Sequence, residues 1–202
     1  MKRALSMVLA GLTVLAIALP ARAATSTVDM TQQLTFDPTP SAINLGDSVK
    51  WVNTSSGFDH TATSNTGFFD TGSVAPGGSK TKVFQFAGSF PYYCQFHGSP
   101  TFGMRGKVNV PDRWLNTGTQ HVGHVQRIRV STVAPPAGLA FDVQMKGPGD
   151  GAFSAFKTKF KHAIVKFTPT KAGEYLFRSR VHRLSNNKAS GFSPAVAVEI
   201  SP

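Results

Sequence analysis

Three potential metal ligands of different chemistry follow one another in a short stretch of this sequence. Cys94, His97 and Met104 offer a thiolate, an imidazole and a thioether between Phe90 and Val110. A second imidazole, His60, lies thirty-four positions before Cys94. Sulfur and nitrogen donors of this kind hold copper well, and one cysteine, two histidines and a weakly bound axial methionine describe a blue electron-transfer site. The four residues together predict a site for one copper ion, although zinc could occupy the same donors.

These ligands must be positioned by β-strands, because the chain shows no helical periodicity of useful length. Short runs rich in Val, Phe, Thr and Tyr recur between Gly- and Pro-containing turns, a pattern typical of a sandwich or barrel. Phe90, Tyr92 and Cys94 share one parity, so Cys94 is expected to face the core at the end of its strand. In the first half the clearest predicted strands are 28–36, 42–53, 80–86, 90–94 and 105–110.

The neighbours of the four residues suggest how such a site would be supported. The hydroxyl of Thr61, next to His60, could bond across to the Cys94 loop and fix both ligands. Phe96, Pro100 and Phe102 could form a flat contact patch for a redox partner near His97, or they could simply pack within the loop.

The N-terminus predicts export. Lys2 and Arg3 precede an uncharged run of sixteen residues, 4–19, and Ala21-Arg22-Ala23 supplies a small-x-small cleavage site. The run is shorter than the roughly 20 residues that span a bilayer. Residues 1–23 are therefore interpreted as a signal peptide cleaved after Ala23, without a membrane span, and the mature protein is expected in the periplasm or outside the cell as a monomer.

Export makes the single cysteine informative. Exported proteins usually pair their cysteines, but Cys94 is the only one in the chain. It could be a buried thiol acting as a small apolar residue. Alternatively, a metal holds it as a thiolate.

On these residues the first half resembles the cupredoxins, the blue-copper proteins of the plastocyanin and azurin type, over roughly 28–110. Gly57-Phe58-Asp59-His60 is similar to the first-histidine loop of that family, and 90–97 to its strand with Cys-x-x-His. Met104-Arg105-Gly106-Lys107 resembles the methionine and closing strand, although six residues separate His97 from Met104, more than in plastocyanin-like loops. The resemblance implies a Greek-key sandwich in which His60, Cys94 and His97 are equatorial ligands and Met104 is axial.

The second half resembles a fibronectin type III domain, an immunoglobulin-like sandwich. The resemblance rests most on Gly173-Glu174-Tyr175-Leu176-Phe177-Arg178, with Tyr175 in the place of a tyrosine corner. The predicted organisation is a copper domain over 24–112, a linker over 113–120 and the second sandwich over 121–202.

Charge divides the chain at the same point. Residues 24–112 carry five basic and six acidic side chains, whereas 113–202 carry thirteen basic and four acidic. Lys157, Lys159 and Lys161 alternate along one predicted strand, and Arg178 and Arg180 along another. If both strands lie in one sheet, as the resemblance implies, they form a basic face that could bind a polyanion, or that could serve only solubility.

The sequence therefore favours an exported single-copper carrier of one electron. One alternative is copper sequestration or delivery through the same four residues, and another is attachment to a surface or matrix through the basic domain. No enzyme is expected, because the sequence lacks the His-x-His motifs of multicopper oxidases and any defensible Ser, His and Asp arrangement.

Overall fold

A computed structural model describes residues 23–202, and within them every regular element is a β-strand. The strands form two sandwiches, so the predicted all-β class with two β-sandwich domains is confirmed. The proposed signal peptide lies outside the described residues except for Ala23. Residues 23–202 contain no helix of the length and apolarity needed to cross a bilayer.

The first sandwich contains eight strands in two four-stranded sheets. Its strands are β1 (Thr25–Met30), β2 (Phe36–Asp37), β3 (Ser41–Ala42), β4 (Ser48–Asn53), β5 (Thr63–Ser64), β6 (Ser79–Val83), β7 (Gly88–Gly98) and β8 (Gly103–Val110). One sheet has the order β2-β1-β4-β6 and the other the order β3-β8-β7-β5. Successive strands cross repeatedly between the sheets, as Greek-key connections require.

Alternation along the two central strands creates the core of this sandwich. Buried residues recur at every second position of β4 and of the first part of β7, because one face of each strand is turned toward the opposite sheet. Trp51 of β4 and Tyr92 of β7 meet edge to face with ring centroids 5.6 Å apart. The same alternation turns Cys94 inward, and its side chain is fully buried.

The second sandwich packs a five-stranded sheet against a three-stranded one. Its strands are β9 (Arg113–Trp114), β10 (Gln120–His121), β11 (Gln126–Arg129), β12 (Leu139–Lys146), β13 (Ser154–Phe160), β14 (Ile164–Phe167), β15 (Gly173–Arg183) and β16 (Val196–Ser201). The sheet orders are β10-β16-β15-β12-β13 and β14-β11-β9. The hydroxyl of Tyr175 donates to the carbonyl of Lys171 at 3.2 Å, the bond that defines a tyrosine corner.

The segment predicted as a linker, 113–120, is part of the second sandwich instead. Arg113 and Trp114 pair with β11, and Gln120 pairs with Ile200 of β16. Trp114 also packs against the core phenylalanines of this sandwich. The chain thus passes between the sandwiches within a few residues around Asp112.

Backbone hydrogen bonds hold the two sandwiches together. Ser89 of β7 and Gly191 exchange a pair of bonds of 2.9 and 2.8 Å. The guanidinium of Arg183 donates to the Gly67 carbonyl at 3.2 Å and lies over the ring of Phe68. The second sandwich therefore contacts the start of β7, the strand that carries Cys94.

Candidate metal centre

Three side chains with metal-binding atoms converge at one end of the first sandwich. The ring nitrogen Nδ1 of His60 lies 3.7 Å from the sulfur of Cys94, and Nδ1 of His97 lies 3.4 Å from the same sulfur. All three donor atoms lie within 4.8 Å of one another. In residues 23–202 this is the only group of three or more His, Cys, Asp or Glu side chains that close together.

The spacing of these atoms fits a common metal ion. Bonds of about 2.0–2.3 Å from one ion to nitrogen and sulfur, at trigonal or tetrahedral angles, separate the donors by about 3.3–3.8 Å. Both measured nitrogen–sulfur distances lie in or close to that interval. A soft thiolate with two imidazoles suits copper or zinc rather than magnesium or calcium. The arrangement can therefore hold one such ion without a large movement of its ligands.

One backbone bridge and one strand hold the three candidate ligands. His60 exchanges backbone hydrogen bonds with Val74, so its position is fixed by a short bridge rather than by a free loop. Cys94 and His97 lie in β7, where the pairing with β8 is interrupted between Tyr93 and Gly98. Cys94 and His97 lie within this interruption and do not pair with β8. Their side chains can therefore turn toward His60.

Thr61 connects the two ligand segments through two bonds. Its backbone N–H donates to the sulfur of Cys94 at 3.4 Å, and its hydroxyl oxygen accepts a bond from the N–H of Gln95 at 2.9 Å. The first bond stabilises negative charge on the sulfur, and the second fixes the spacing between the His60 and Cys94 backbones.

A hairpin returns the chain from β7 to β8 and places Met104 at the start of β8. Gly98 pairs with Gly103, and the N–H of Ser99 donates to the Phe102 carbonyl at 2.9 Å. The intervening residues therefore project outward as a tight turn, and Met104 lies opposite the interrupted part of β7. Its side chain is buried, so it faces the interior of the sandwich rather than the solvent.

Two glycines are required by that hairpin. Gly103 has φ +73°, and a Cβ there would approach the Cα of Gly98 to 2.8 Å and collide with the His97 carbonyl. A Cβ at Gly98 would approach the N of Met104 to 2.8 Å. Only residues without a side chain allow the two strands to approach this closely.

A buried amide organises the loop that leads to His60. The side-chain nitrogen of Asn53 donates to the carbonyls of Phe58 and Val74 at 2.7 and 2.8 Å. Its side-chain oxygen accepts bonds from the N–H and the hydroxyl of Ser55 at 3.0 and 2.7 Å. All four hydrogen-bonding positions of the amide are satisfied, and they fix both sides of the His60 bridge.

Burial disfavours the charged form of the His60 imidazole. Desolvation, followed by the proximity of His97, lowers the pKa of His60 below its usual range, while Asp59 and the nearby Thr31 carbonyl oppose the shift. Nε2 of His60 is buried and has no hydrogen-bond partner, so the Thr31 carbonyl lies near the ring without bonding to it. In the neutral ring with its proton on Nε2, Nδ1 has a lone pair that can bind a metal.

Aromatic side chains surround the one ligand that reaches the surface. His97 is partly exposed, and the rings of Phe58 and Phe96 lie 5.5 and 6.2 Å from its ring. Phe58, Phe96 and Phe102 are 39, 56 and 67 % exposed, which is high for phenylalanine. Pro100 is also exposed, in the hairpin turn. We call Phe58, Phe96 and Phe102 the phenylalanine patch.

The predicted basic face differs from the surface that the structure presents. The strands β13 and β15 do lie in one sheet, but β12 separates them. Register shifts between β12 and β13 break the two-residue alternation, and Lys159 has φ +48°. Lys157 and Lys159 are therefore not on one face by simple alternation, and Lys161 lies beyond the end of β13.

The two arginines of that face are engaged within the domain. Arg180 forms an ion pair of 3.0 Å with Asp142 of β12. The guanidinium of Arg178 lies between the rings of Phe153 and Phe192, at 4.1 and 5.0 Å. Their charges are consequently less available to a partner than the sequence predicted.

Sequence reasoning missed Asn53 and Phe58. An Asn two positions before a Ser, at the point where a strand ends, is a signal for a side-chain-stabilised turn. An exposed Phe beside the Asp59-His60 pair was a signal for a contact surface. Neither residue is a soft nitrogen or sulfur ligand of the kind that copper prefers, and a search for such ligands therefore passes over both.

Comparison with known proteins reveals only distant similarity. The sequence matches no family profile and no curated protein. Among solved structures, the reduced Cu(I) form of a single-residue variant of amicyanin is 24 % identical, with 46 % of this chain and 85 % of that chain covered and a TM-score of 0.37. A copper-containing nitrite reductase from Thermus scotoductus is 13 % identical, with 89 % and 62 % covered and a TM-score of 0.33.

The FN1–FN3 domains of chicken CNTN1 are also similar, at 11 % identity, with 78 % of this chain and 62 % of that chain covered and a TM-score of 0.34. Similarity is low in all three cases, so the assignment of the site rests on its geometry in this chain. The chain is an all-β protein of two sandwiches. It carries a His60, Cys94 and His97 cluster that could bind a metal.

Proposed function

We propose that the chain is an exported type 1 copper protein, in which residues 24–112 form the copper domain and carry one electron between partners. The observation that supports this most is the convergence of two Nδ1 atoms on the Cys94 sulfur, at 3.4 and 3.7 Å. A lone, fully buried cysteine between two imidazoles is better explained as a metal ligand than as a packing residue.

The protein would supply the ligands and their fixed geometry. His60, Cys94 and His97 would hold the ion, with Met104 as the axial ligand. Bound copper would contribute one-electron redox chemistry. The Thr61 N–H would moderate the charge of the thiolate, and the complete burial of His60 and Cys94 would exclude water. Because bonds within the protein position each ligand, little rearrangement would accompany a change of charge.

The phenylalanine patch would provide the contact with a redox partner. Its Phe58 and Phe96 rings lie beside His97, the partly exposed member of the cluster, so a protein docked there would approach the site through His97. Its apolar character favours a transient contact that excludes water without requiring matched charges. Pro100 lies in the same turn and would take part at the edge.

The proposal retains the other expectations drawn from the sequence. It places the mature chain in the periplasm or outside the cell, as a monomer that does not catalyse a reaction. Copper storage or delivery uses the same ligands and is the main rival. An electron carrier would keep its copper when the ion is oxidised or reduced, whereas a delivery protein would release it.

Repeated redox cycling separates the two roles. The copper-loaded chain would be oxidised and reduced with small inorganic reagents in the presence of a Cu(I) chelator, and bound copper measured after each cycle. A carrier keeps its copper over many cycles, whereas loss of the ion to the chelator on first reduction would favour delivery. The variant His121→Ala/His124→Ala, which removes two neighbouring histidines outside the site, controls for copper on the surface.

A further inference from the structure

The second sandwich has a groove between its two lysine-bearing edge strands. Strands β13 and β14 each end a sheet and are joined by a short connection at 161–163. The groove between them has a volume of about 560 Å³. It is lined by Lys157, Phe160, His162, Ala163, Ile164 and Lys166.

No acidic side chain lines this groove or pairs with its lysines. None of the lining residues is Asp or Glu, and no ion pair among residues 23–202 involves Lys157 or Lys166. The nearest carboxylate on the adjoining strand, Asp142, accepts bonds from the Lys159 N–H, Arg180 and His182. Its charge is satisfied within the domain. The ammonium of Lys157 lies 5.0 Å from the centre of the Phe156 ring, but no carboxylate neutralises either groove lysine, so both can attract an anion.

The groove is also partly apolar. Phe160 and Ile164 are partly buried along it, and the ring of Phe160 lies 5.2 Å from that of His162. An occupant should therefore combine anionic groups with a less polar body. A sugar ring that carries a carboxylate has both, because its C–H face can pack on apolar side chains while the carboxylate meets an ammonium group.

The cation types of the groove argue against nucleic acid as its occupant. Arginine forms two parallel bonds with phosphate and is preferred in nucleic-acid recognition. The arginines that the sequence placed near this surface, Arg178 and Arg180, are stacked on phenylalanines or paired with Asp142. The groove itself offers only lysine and histidine.

From these observations we propose that the groove between β13 and β14 binds a linear acidic polysaccharide through its carboxylates. The groove shares no residue with the phenylalanine patch, so a bound polymer leaves that patch available. The inference is independent of the copper proposal, since no lining residue belongs to the metal centre. Its biological consequence is attachment of the protein to an anionic matrix.

The test uses the full chain and polygalacturonate as the probe, at a salt concentration of about 0.15 M. The variant Lys157→Ala/Lys166→Ala should weaken binding about tenfold and lower the slope of log K against log salt by about one to two. The matched control is Lys80→Ala/Lys82→Ala, which removes the same charge from exposed positions of the edge strand β6. That control should bind like the unmodified chain.

Three results would overturn the proposal. Unchanged binding of the groove variant, or an equal loss in the Lys80/Lys82 control, would show that the groove is not the site. Tighter binding of single-stranded DNA than of polygalacturonate at the same salt would assign the groove to nucleic acid. All four lysines are exposed, so their replacement should leave folding unchanged, as thermal unfolding can verify.

Discussion

Replacement of Asn53 by alanine should damage both the stability of the first sandwich and its metal centre. The side chain is completely buried and makes four hydrogen bonds of 2.7–3.0 Å to Ser55, Phe58 and Val74. The Val74 carbonyl also accepts the backbone N–H of His60. Loss of the amide therefore loosens the segment that positions the first histidine.

The expected magnitude follows from the bonds that are lost. Each contributes about 1 kcal/mol net, which gives a maximum of roughly 4 kcal/mol for the four. The Val74 carbonyl keeps the His60 N–H as a donor, and the single Ser55 hydroxyl proton, no longer shared with the Asn53 oxygen, can go to the Phe58 carbonyl. Only the Ser55 N–H is left without its acceptor, so we expect a loss of about 2–4 kcal/mol in the free energy of unfolding.

Denaturant unfolding of the metal-free chain measures this loss, and the absorption spectrum with Cu(II) reports on the ligands. The control is Asn116→Ala, because Asn116 makes two bonds with the backbone of an exposed loop in the second sandwich. It should cost less than about 1 kcal/mol and leave the spectrum unchanged. An Asn53→Ala variant with the stability and spectrum of the unmodified chain would refute this account of the loop.

Three further changes test other parts of the structure. Gly103→Ala places a Cβ at φ +73° against Gly98, and it should destabilise the hairpin by about 1–3 kcal/mol and shift the copper absorption. Asp112→Asn should remove a pH dependence of stability, because burial raises the pKa of Asp112 to about 7 despite its bond from Ser179. The folded chain keeps this proton up to pH about 7, whereas the unfolded chain releases it near pH 4, so stability falls as pH rises between these values, by roughly 4 kcal/mol. Met104→Leu should retain copper and change the reduction potential.

Each of these has a distinct contrary result. Gly118 has φ +72° with open space around it, so Gly118→Ala measures the backbone strain that Gly103→Ala also introduces, without the collision. An equal effect of the two variants on the copper spectrum would contradict the role of the hairpin. Urea unfolding between pH 4 and 8 tests Asp112, and an unchanged slope in the variant would assign the pH dependence to other groups. An unaltered potential in Met104→Leu would remove that residue from the ligand set.

Local alternation explains how much of the fold could be predicted. The inward direction of Cys94 follows from the parity of Phe90 and Tyr92, since a regular strand preserves its period of two. The same rule fails on β13, where register shifts displace Lys157 and Lys159. Irregularities of this kind depend on pairing with a neighbouring strand, which a single sequence does not reveal.

The metal centre was predictable as a set of ligands and less so as a structure. Histidine and cysteine are rare enough, and chemically specific enough, to stand out at His60, Cys94 and His97. The hairpin that returns Met104 depends on Gly98 pairing with Gly103, and the fixed position of His60 depends on Asn53. These contacts are long-range or involve common polar residues, whose residue types alone do not indicate a role at the site.

The boundary between the two domains also depends on long-range pairing that the sequence does not reveal. Residues 113–120 have the polar composition of a linker, but Trp114 and Gln120 enter the sheets of the second sandwich. Short strands of two residues carry too little alternation to be recognised. Only their pairing partners, more than ten residues away, reveal them.

The electronic spectrum of the purified chain with one equivalent of Cu(II) tests the proposed metal centre most directly. A thiolate ligand predicts an intense blue or green charge-transfer band that disappears in Cys94→Ser, because the serine hydroxyl cannot replace the sulfur. A chain that binds Cu(II) without that band, or a Cys94→Ser variant with an unaltered spectrum, would contradict copper coordination by Cys94.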